Sequence, residues 1–167
     1  MGFVIEKEFV YADLPCIVTF GEMGFRCGYV GVPTKHPWYG KKYDDLTNID
    51  KRFLVGQSIG DRGIFTALKF AMNDERKEAA IDELINVHGS LTYSGSGHPV
   101  DDEYWYFGFD CGHYGDASDI KSLHEYFPER AAFIEQFGYF NDGEIRTLDY
   151  CIEQCIQLAE QLNGYFN

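Results

Sequence analysis

The sequence predicts an α+β fold, in which an antiparallel β meander of about four strands is covered on one face by helices. Segments of strand length, rich in β-branched and aromatic residues, alternate with glycine-rich turns early in the chain and again near its middle. From about residue 61, and again at the C-terminus, apolar residues recur at helical spacing. We expect residues 1–167 to form a single domain, since this length is common for one.

The strands are predicted to form two hairpins. Residues 15–20 and 25–32 are rich in β-branched side chains, and the segment 21–24 between them is typical of a turn. Residues 87–94 and 104–111 form the second predicted pair. Polar and apolar side chains alternate in both of these strands, which is the pattern of a strand that buries one face.

Helical spacing predicts the rest of the regular structure. Residues 49–86 are expected to form a helical insertion, and residues 124–138 a helix with Pro128 at a first-turn position. A long amphipathic helix is predicted at the C-terminus, where Asn141 and Glu144 fit a capping box. Its apolar seam consists of Ile145, Leu148, Ile152, Cys155, Ala159 and Leu162. This seam can cover the sheet of its own chain, and a homo-oligomer joined through it is the alternative.

The charge balance excludes two classes of partner. The formal net charge is −13, from 27 acidic and 14 basic residues. Duplex nucleic acid and anionic membranes both require a basic face, so we expect neither as a partner. The five cysteines form no CxxC motif, which favours reduced thiols and a cytoplasmic location. Glu6 and Glu8 also interrupt the N-terminal segment where a signal peptide would be apolar.

The second predicted hairpin contains the strongest candidate site. Its simplest antiparallel register places His88 opposite Asp110 and Thr92 opposite Tyr106, all on one polar face. A carboxylate orients the tautomer of an imidazole, and a tyrosine offers a flat wall for a ring. A small gap at Ser90 lets a ligand approach the backbone. The alternative is that this face is the solvated side of an ordinary sheet.

We predict a ligand site on this face and on the glycine-rich loop that follows it. His113 and Asp116 lie on that loop. His36 and Lys42 would add contacts, including contacts to phosphate, if their own loop folds over the hairpin. The predicted ligand-binding residues are His36, Lys42, His88, Ser90, Thr92, Tyr106, Asp110, His113 and Asp116.

Acid–base chemistry and metal binding are both open to these residue types. In an enzyme, His88 or His113 would act as the general base, with Asp110 as the residue that orients it. His88, His113 and Asp116 are the residues that would hold a divalent metal. Their spacing matches no HExxH or HxHxD motif, so we expect no metal and no other cofactor.

Four blocks of the sequence carry a resemblance to a known family. They read GYVGVPTKHPWYG, VHGSLTYS, YWYFGFDCGHYGD and RTLDYCIEQCIQLAEQL, and together they cover about a third of the chain. The chain resembles a family of short uncharacterised proteins of bacteriophages and their hosts, with blocks GYVxVPxxHPxxG, VHGGLTY and WWxGFDCAHxGD. It departs from that pattern at Ser90 and in YWYFGF, and residues 49–86 look like an insertion relative to shorter relatives. The polar positions that the resemblance implies are His36, His88, Thr92, Asp110, His113 and Asp116.

These inferences lead to one expected function and two alternatives. We expect a small pocket protein of phage type, acting in the host cytosol, that sequesters a nucleotide-like signalling ligand of host defence. The first alternative is a hydrolase or phosphodiesterase that degrades such a ligand, with His88, Asp110 and His113 as acid–base residues. The second alternative is an acidic inhibitor that binds a basic protein.

Overall fold

A five-stranded antiparallel sheet organises the protein. The structure is a computed structural model and describes residues 2–50, 77–137 and 142–166. Within these ranges the strands are β1 Phe3–Tyr11, β2 Leu14–Gly21, β3 Arg26–Val32, β4 Leu46–Asp50, β5 Glu78–Ala80, β6 Tyr93–Gly95, β7 Trp105–Asp110, β8 Asp116–Ala117 and β9 Glu144–Ile145. The central sheet has the order β1-β2-β3-β7-β6. The remaining strands form two small sheets, an antiparallel pair of β4 and β5 and a parallel pair of β8 and β9.

Together with the sheet, the helices confirm the α+β fold class that the sequence predicts. They are α1 Ile81–Leu84, α2 Ile120–Tyr126, α3 Pro128–Phe137 and α4 Leu148–Gly164. The long C-terminal helix is confirmed as α4, but it begins only at Leu148; Glu144 of the predicted capping box and Ile145 of the predicted seam lie in β9, because pairing with β8 holds them in an extended backbone. The N-cap of α4 is Thr147, whose hydroxyl accepts a hydrogen bond from the backbone N–H of Tyr150; Asn141 lies outside the described residues. No helix in the described ranges is long and apolar enough to cross a membrane.

The main core lies between α4 and one face of the central sheet. Cys151, Cys155 and Leu158 of α4 are fully buried in one cluster with Val30 of β3 and Phe109 of β7. Each side chain of this size stabilises the fold by roughly 1.5–3 kcal/mol when it leaves water. The helix is therefore fixed to the sheet, and the residues at its N-terminal end keep a defined position relative to the end of β7.

The opposite face of the sheet is also covered. Ile17, Tyr29 and Tyr106 form a second buried cluster there, against which Val100 and Tyr104 pack. Both faces of the central strands are therefore apolar. This explains why β2 and β3 contain nearly continuous runs of buried residues.

The segment before β6 is not the long strand that the sequence predicts for residues 87–94. The ladder with β7 begins at Tyr93, and the backbone N–H of Thr92 also donates to the carbonyl of Gly108. Gly89 and Ser90 have φ values of +66° and +73°, a left-handed conformation that no β-strand contains. Tyr93 rather than Ser90 lies opposite Gly108, so the predicted register is wrong by three residues.

The predicted helical insertion at residues 49–86 is described only at its two ends. Residues 51–76 lie outside the described residues. On the C-terminal side, Glu78–Ala80 forms a strand and Ile81–Leu84 a single helical turn. Helical spacing therefore predicted the wrong structure for 78–80, because strand pairing with β4 overrides a weak local helical preference.

Candidate functional site

His88 is held by hydrogen bonds on both of its ring nitrogens. Its Nε2 atom lies 2.9 Å from Oδ2 of Asp116, and its Nδ1 atom lies 2.7 Å from the hydroxyl of Tyr150. The backbone N–H of His88 donates to Oε1 of Gln154 at 2.8 Å. An ionised carboxylate can only accept, so Nε2 of His88 donates to Asp116 and Nδ1 accepts from Tyr150. Both ring contacts define the orientation and the tautomer of this imidazole.

Asp116 is the buried carboxylate at the centre of this network. Its side chain is only 1% exposed. Besides His88, it accepts a hydrogen bond from Nε of Arg146 at 2.8 Å and one from the backbone N–H of His113 at 3.0 Å. A buried carboxylate is tolerated when several donors and an opposite charge satisfy it. Asp116 therefore ties the loop after β7 to the residues that precede α4.

A second imidazole–carboxylate pair lies beside the first. Nε2 of His113 is 3.2 Å from Oδ1 of Asp110, close enough for an ion pair although the ring N–H is not aligned for a hydrogen bond. The Asp110 contact raises the pKa of His113 above its usual value, against the opposing effect of burial. Burial would raise the pKa of Asp110, but His113, the backbone N–H of Gly112 and the Thr92 hydroxyl lower it to about 2. Asp110 is thus ionised, and His113 keeps its proton to higher pH than an isolated imidazole.

The two imidazoles face each other across a short gap. The ring centroids of His88 and His113 are 6.2 Å apart, with an angle of 60° between the ring planes. Gly89 makes this approach possible, because a Cβ atom at that position would lie 2.4 Å from Cδ2 of His113. Its positive φ also favours glycine. We call the following group of side chains the imidazole cluster: His88, Thr92, Asp110, His113, Asp116, Arg146 and Tyr150.

Three residues that hydrogen-bond to His88 or Asp116 come from the chain around α4, and the sequence analysis did not identify them. Arg146, Tyr150 and Gln154 are spaced four residues apart, which is one helical turn, beside the buried seam of Cys151 and Cys155. Cζ of Arg146 lies 5.1 Å from the centroid of the Tyr150 ring, so the guanidinium stacks over it. The four-residue spacing of these three residues is visible in the sequence, but it does not predict which loop their side chains contact.

His36 lies far from the imidazole cluster. It is 3% exposed, Nε2 donates to the carbonyl of Leu162 at 2.8 Å, and Nδ1 accepts from the backbone N–H of Trp38 at 3.0 Å. Leu162 follows Tyr150 by twelve residues of α4, or about 18 Å along the helix axis. Burial lowers the pKa of His36. It therefore joins the loop after β3 to the C-terminal end of α4.

Tyr106 lies on the opposite side of the sheet from α4 and does not wall the cluster. Its side chain is completely buried there, and its hydroxyl donates to Oδ2 of Asp102 at 2.8 Å. The small gap predicted beside it is filled, since a Cβ atom on Gly108 would lie 2.6 Å from the ring of Tyr29. The predicted hollow with aromatic walls is therefore absent from this part of the described structure.

Two further predicted residues make none of the contacts that define the cluster. Ser90 is buried in the left-handed turn before β6. Lys42 is exposed in the loop before β4, where its backbone N–H donates to the carboxylate of Asp45. The structure thus brings together five predicted residues from two loops and one strand end. These are His88, Thr92, Asp110, His113 and Asp116.

The cluster contains the parts of a proton relay. Burial raises the pKa of Tyr150, so its hydroxyl keeps the proton that it donates to Nδ1 of His88. If His88 takes that proton, the Asp116 carboxylate on the other ring nitrogen stabilises the imidazolium. Within the described residues, no group of three or more His, Cys, Asp or Glu side chains is arranged to hold a metal ion.

Comparisons with known proteins bear on the family and the fold. No family model matches the chain, and neither a curated protein nor a solved structure shows significant similarity to it. The resemblance to phage proteins is therefore a prediction that these comparisons do not test. What the imidazole cluster does has to be inferred from its own geometry.

Proposed function

We propose that the imidazole cluster binds a small, phosphate-bearing, nucleotide-like ligand. The observation that carries this proposal is the pair of imidazoles, each fixed by its own carboxylate and 6.2 Å apart, at a partly exposed loop. Two side chains fixed in this way lose little conformational freedom when a ligand arrives, which favours binding. Sequestration of a host signalling nucleotide is the role that we propose for this binding.

The donors of the cluster support an anionic ligand. His113 is 28% exposed and retains its proton to raised pH because of Asp110. Arg146 is 21% exposed and uses Nε for Asp116 and Nη1 for Glu144, which leaves Nη2 outside both contacts. Charged N–H groups of this kind form short, strong hydrogen bonds with phosphate oxygens. Nε2 of His113 is buried against Asp110, so we expect a ligand phosphate to contact the exposed part of the His113 ring and Nη2 of Arg146.

Hydrolysis of the same ligand is a second candidate function, and one observation favours it. The chain of contacts from Tyr150 through His88 to Asp116 can accept a proton, and His113, whose pKa is raised by Asp110, can donate one when it is protonated. A base and an acid on neighbouring rings are the groups that cleavage of a phosphoester needs. In that reaction His88 accepts the proton of the nucleophile by way of the Tyr150 hydroxyl, and Asp116 is a positioning residue that orients His88.

One experiment separates binding from cleavage. The protein is incubated with cyclic di-AMP, cyclic di-GMP or cyclic GMP–AMP, freed of unbound ligand, and denatured by heat. A binding protein releases the nucleotide intact, and a hydrolase releases its products. Loss of retention in His113→Gln, with retention unchanged in His124→Gln on the exposed α2 surface, assigns the binding to the cluster.

The acidic-inhibitor alternative makes the opposite prediction. Its support is the net charge of −13, which would attract a basic protein over a distance of about one Debye length, near 10 Å at 0.1 M salt. An inhibitor of this kind retains none of the three nucleotides. Its affinity for the basic partner falls steeply as salt is added, and such a result would replace the ligand-binding proposal.

A further inference from the structure

A cavity of about 370 Å³ lies at the end of α4 opposite to the imidazole cluster. Asn163 lines it, and Asn163 follows Tyr150 by thirteen residues, which is about 20 Å along the helix axis. The turn between β1 and β2 closes one side, and the loop after β3 closes another. The volume falls within the range of small-molecule sites, about 300–1,000 Å³.

The cavity combines an apolar floor with aromatic walls. Leu14, which is 1% exposed, forms part of the floor, and the rings of Tyr104 and Phe166 line the sides. Flat rings of this kind stack on an aromatic ligand with their centroids about 4.5–7 Å apart. The walls therefore favour a ligand that contains a planar ring.

Polar groups at the cavity have unused hydrogen-bonding capacity. Nζ of Lys35 lies 5.2 Å from the centroid of the Phe166 ring, and Lys35 makes no ion pair with any described residue. Asp13 lies in the turn between β1 and β2 with a φ of +62°, and its carboxylate accepts no hydrogen bond within the described ranges. The side-chain amide of Asn163 is likewise unused by described residues. One cation, one carboxylate and one amide thus line the same space as the two rings.

We propose that this cavity is a second ligand site, separate from the imidazole cluster, that takes a nucleoside monophosphate or a ligand of that chemistry. The base stacks between Tyr104 and Phe166, and the phosphate binds the Lys35 ammonium. Sugar hydroxyls donate to Asp13, and Asn163 bonds the polar edge of the base. The charges of ligand and cavity are complementary, since the ligand brings an anion to Lys35 and O–H donors to Asp13.

Calorimetric titration with adenosine 5′-monophosphate tests this proposal. The wild-type protein should bind it saturably at this cavity. Adenosine, which lacks the phosphate, and Lys35→Gln, which lacks the ammonium, should each weaken binding about tenfold, the usual effect of one charge-assisted hydrogen bond. Phe166→Leu should also weaken binding, because it removes a ring wall while keeping an apolar side chain.

Two control variants complete the experiment. Lys121→Gln changes an exposed lysine on α2, which packs beside Phe20 at the far end of β2 from the Asp13 turn, and should leave the affinity unchanged. Glu135→Gln, on the exposed surface of α3, should also leave it unchanged. Failure to bind the nucleotide at millimolar concentration overturns the proposal. Binding that survives Lys35→Gln but is lost in His113→Gln overturns it too, and supports the imidazole cluster as the nucleotide site.

Discussion

His88 donates its Nε2 proton to Asp116, 2.9 Å away, and not to Asp110, the partner that an extended hairpin would give it. Asp110 instead pairs with His113, at 3.2 Å. The two imidazole–carboxylate pairs are built by loops and a strand end, with Tyr150 of α4 as the third partner of His88. The imidazole cluster therefore depends on the docking of α4 as much as on the sheet.

Replacement of the buried carboxylate should destabilise the fold. Asp116→Asn removes the charge that Arg146 and His88 face, and the amide cannot accept all of the existing hydrogen bonds. We expect a loss of about 3 kcal/mol in the free energy of unfolding, near the lower end of the cost of breaking a buried ion pair. Urea denaturation measures it. The matched control is Glu135→Gln, which breaks the half-exposed pair with His124 and should cost less than about 0.5 kcal/mol.

A methyl group at Gly89 should push the two imidazoles apart. In Gly89→Ala the new Cβ atom would overlap the ring of His113, so the ring has to leave Asp110. The raised pKa of His113 should then fall toward its usual value, as an NMR titration would show. Gly40→Ala is the control, because Gly40 also has a positive φ, +80°, but has nothing within 4 Å of its added Cβ. A normal His113 titration in Gly40→Ala and an unchanged one in Gly89→Ala would contradict the close approach.

The His113–Asp110 pair predicts a pH window for stability. The pKa of His113 is raised in the folded state, so its contribution is complete below the unfolded pKa of about 6.5 and is lost as the pH rises through the folded pKa. The pKa of Asp110 is lowered to about 2, so its contribution is complete above the unfolded pKa of about 3.9 and is lost as the pH falls toward 2. The difference in unfolding free energy between wild type and Asp110→Asn should therefore be largest between about pH 4 and 6.5. A difference that grows from pH 6 to pH 9 would show that the pair is not formed.

Removal of one hydroxyl should release Nδ1 of His88. Tyr150→Phe keeps the ring under Arg146 but removes the hydrogen bond of 2.7 Å, so we expect a loss of about 1 kcal/mol in stability. The ¹⁵N shift of His88 Nδ1 should change at the same time. Tyr114→Phe serves as the control, because Tyr114 follows His113 directly and its side chain is fully exposed. Equal shifts for the two variants would argue against the contact.

Local patterns predict much of the sheet. The predicted strands 15–20, 25–32 and 104–111 match β2, β3 and β7 to within about two residues, because β-branched and aromatic runs between turn residues are strong local signals. β1 was not predicted. Its residues are mostly exposed or half-exposed and mix charged with apolar side chains, so they give no clear alternation.

The pairings in the imidazole cluster could not be predicted in the same way. The face of a strand residue follows from parity, but parity ends where Ser90 adopts a positive φ, which is uncommon for a non-glycine residue. The contact of Tyr150 with His88 joins residues 62 positions apart. The sequence shows which residue types the site contains and in which segments they lie. Which of them form hydrogen bonds across such long stretches of chain depends on how α4 docks against the sheet.

The central claim is that His88 and His113 together hold a small phosphate-bearing ligand. The most direct measurement is mass spectrometry of the small molecules that heat releases from protein purified from cells. It compares the wild type, the double variant His88→Gln/His113→Gln and the control His124→Gln, with circular dichroism to verify that all three are folded. We expect at least one phosphate-bearing molecule that the wild type and His124→Gln release and that the double variant does not. Equal amounts from all three proteins, or none from any of them, would contradict the account.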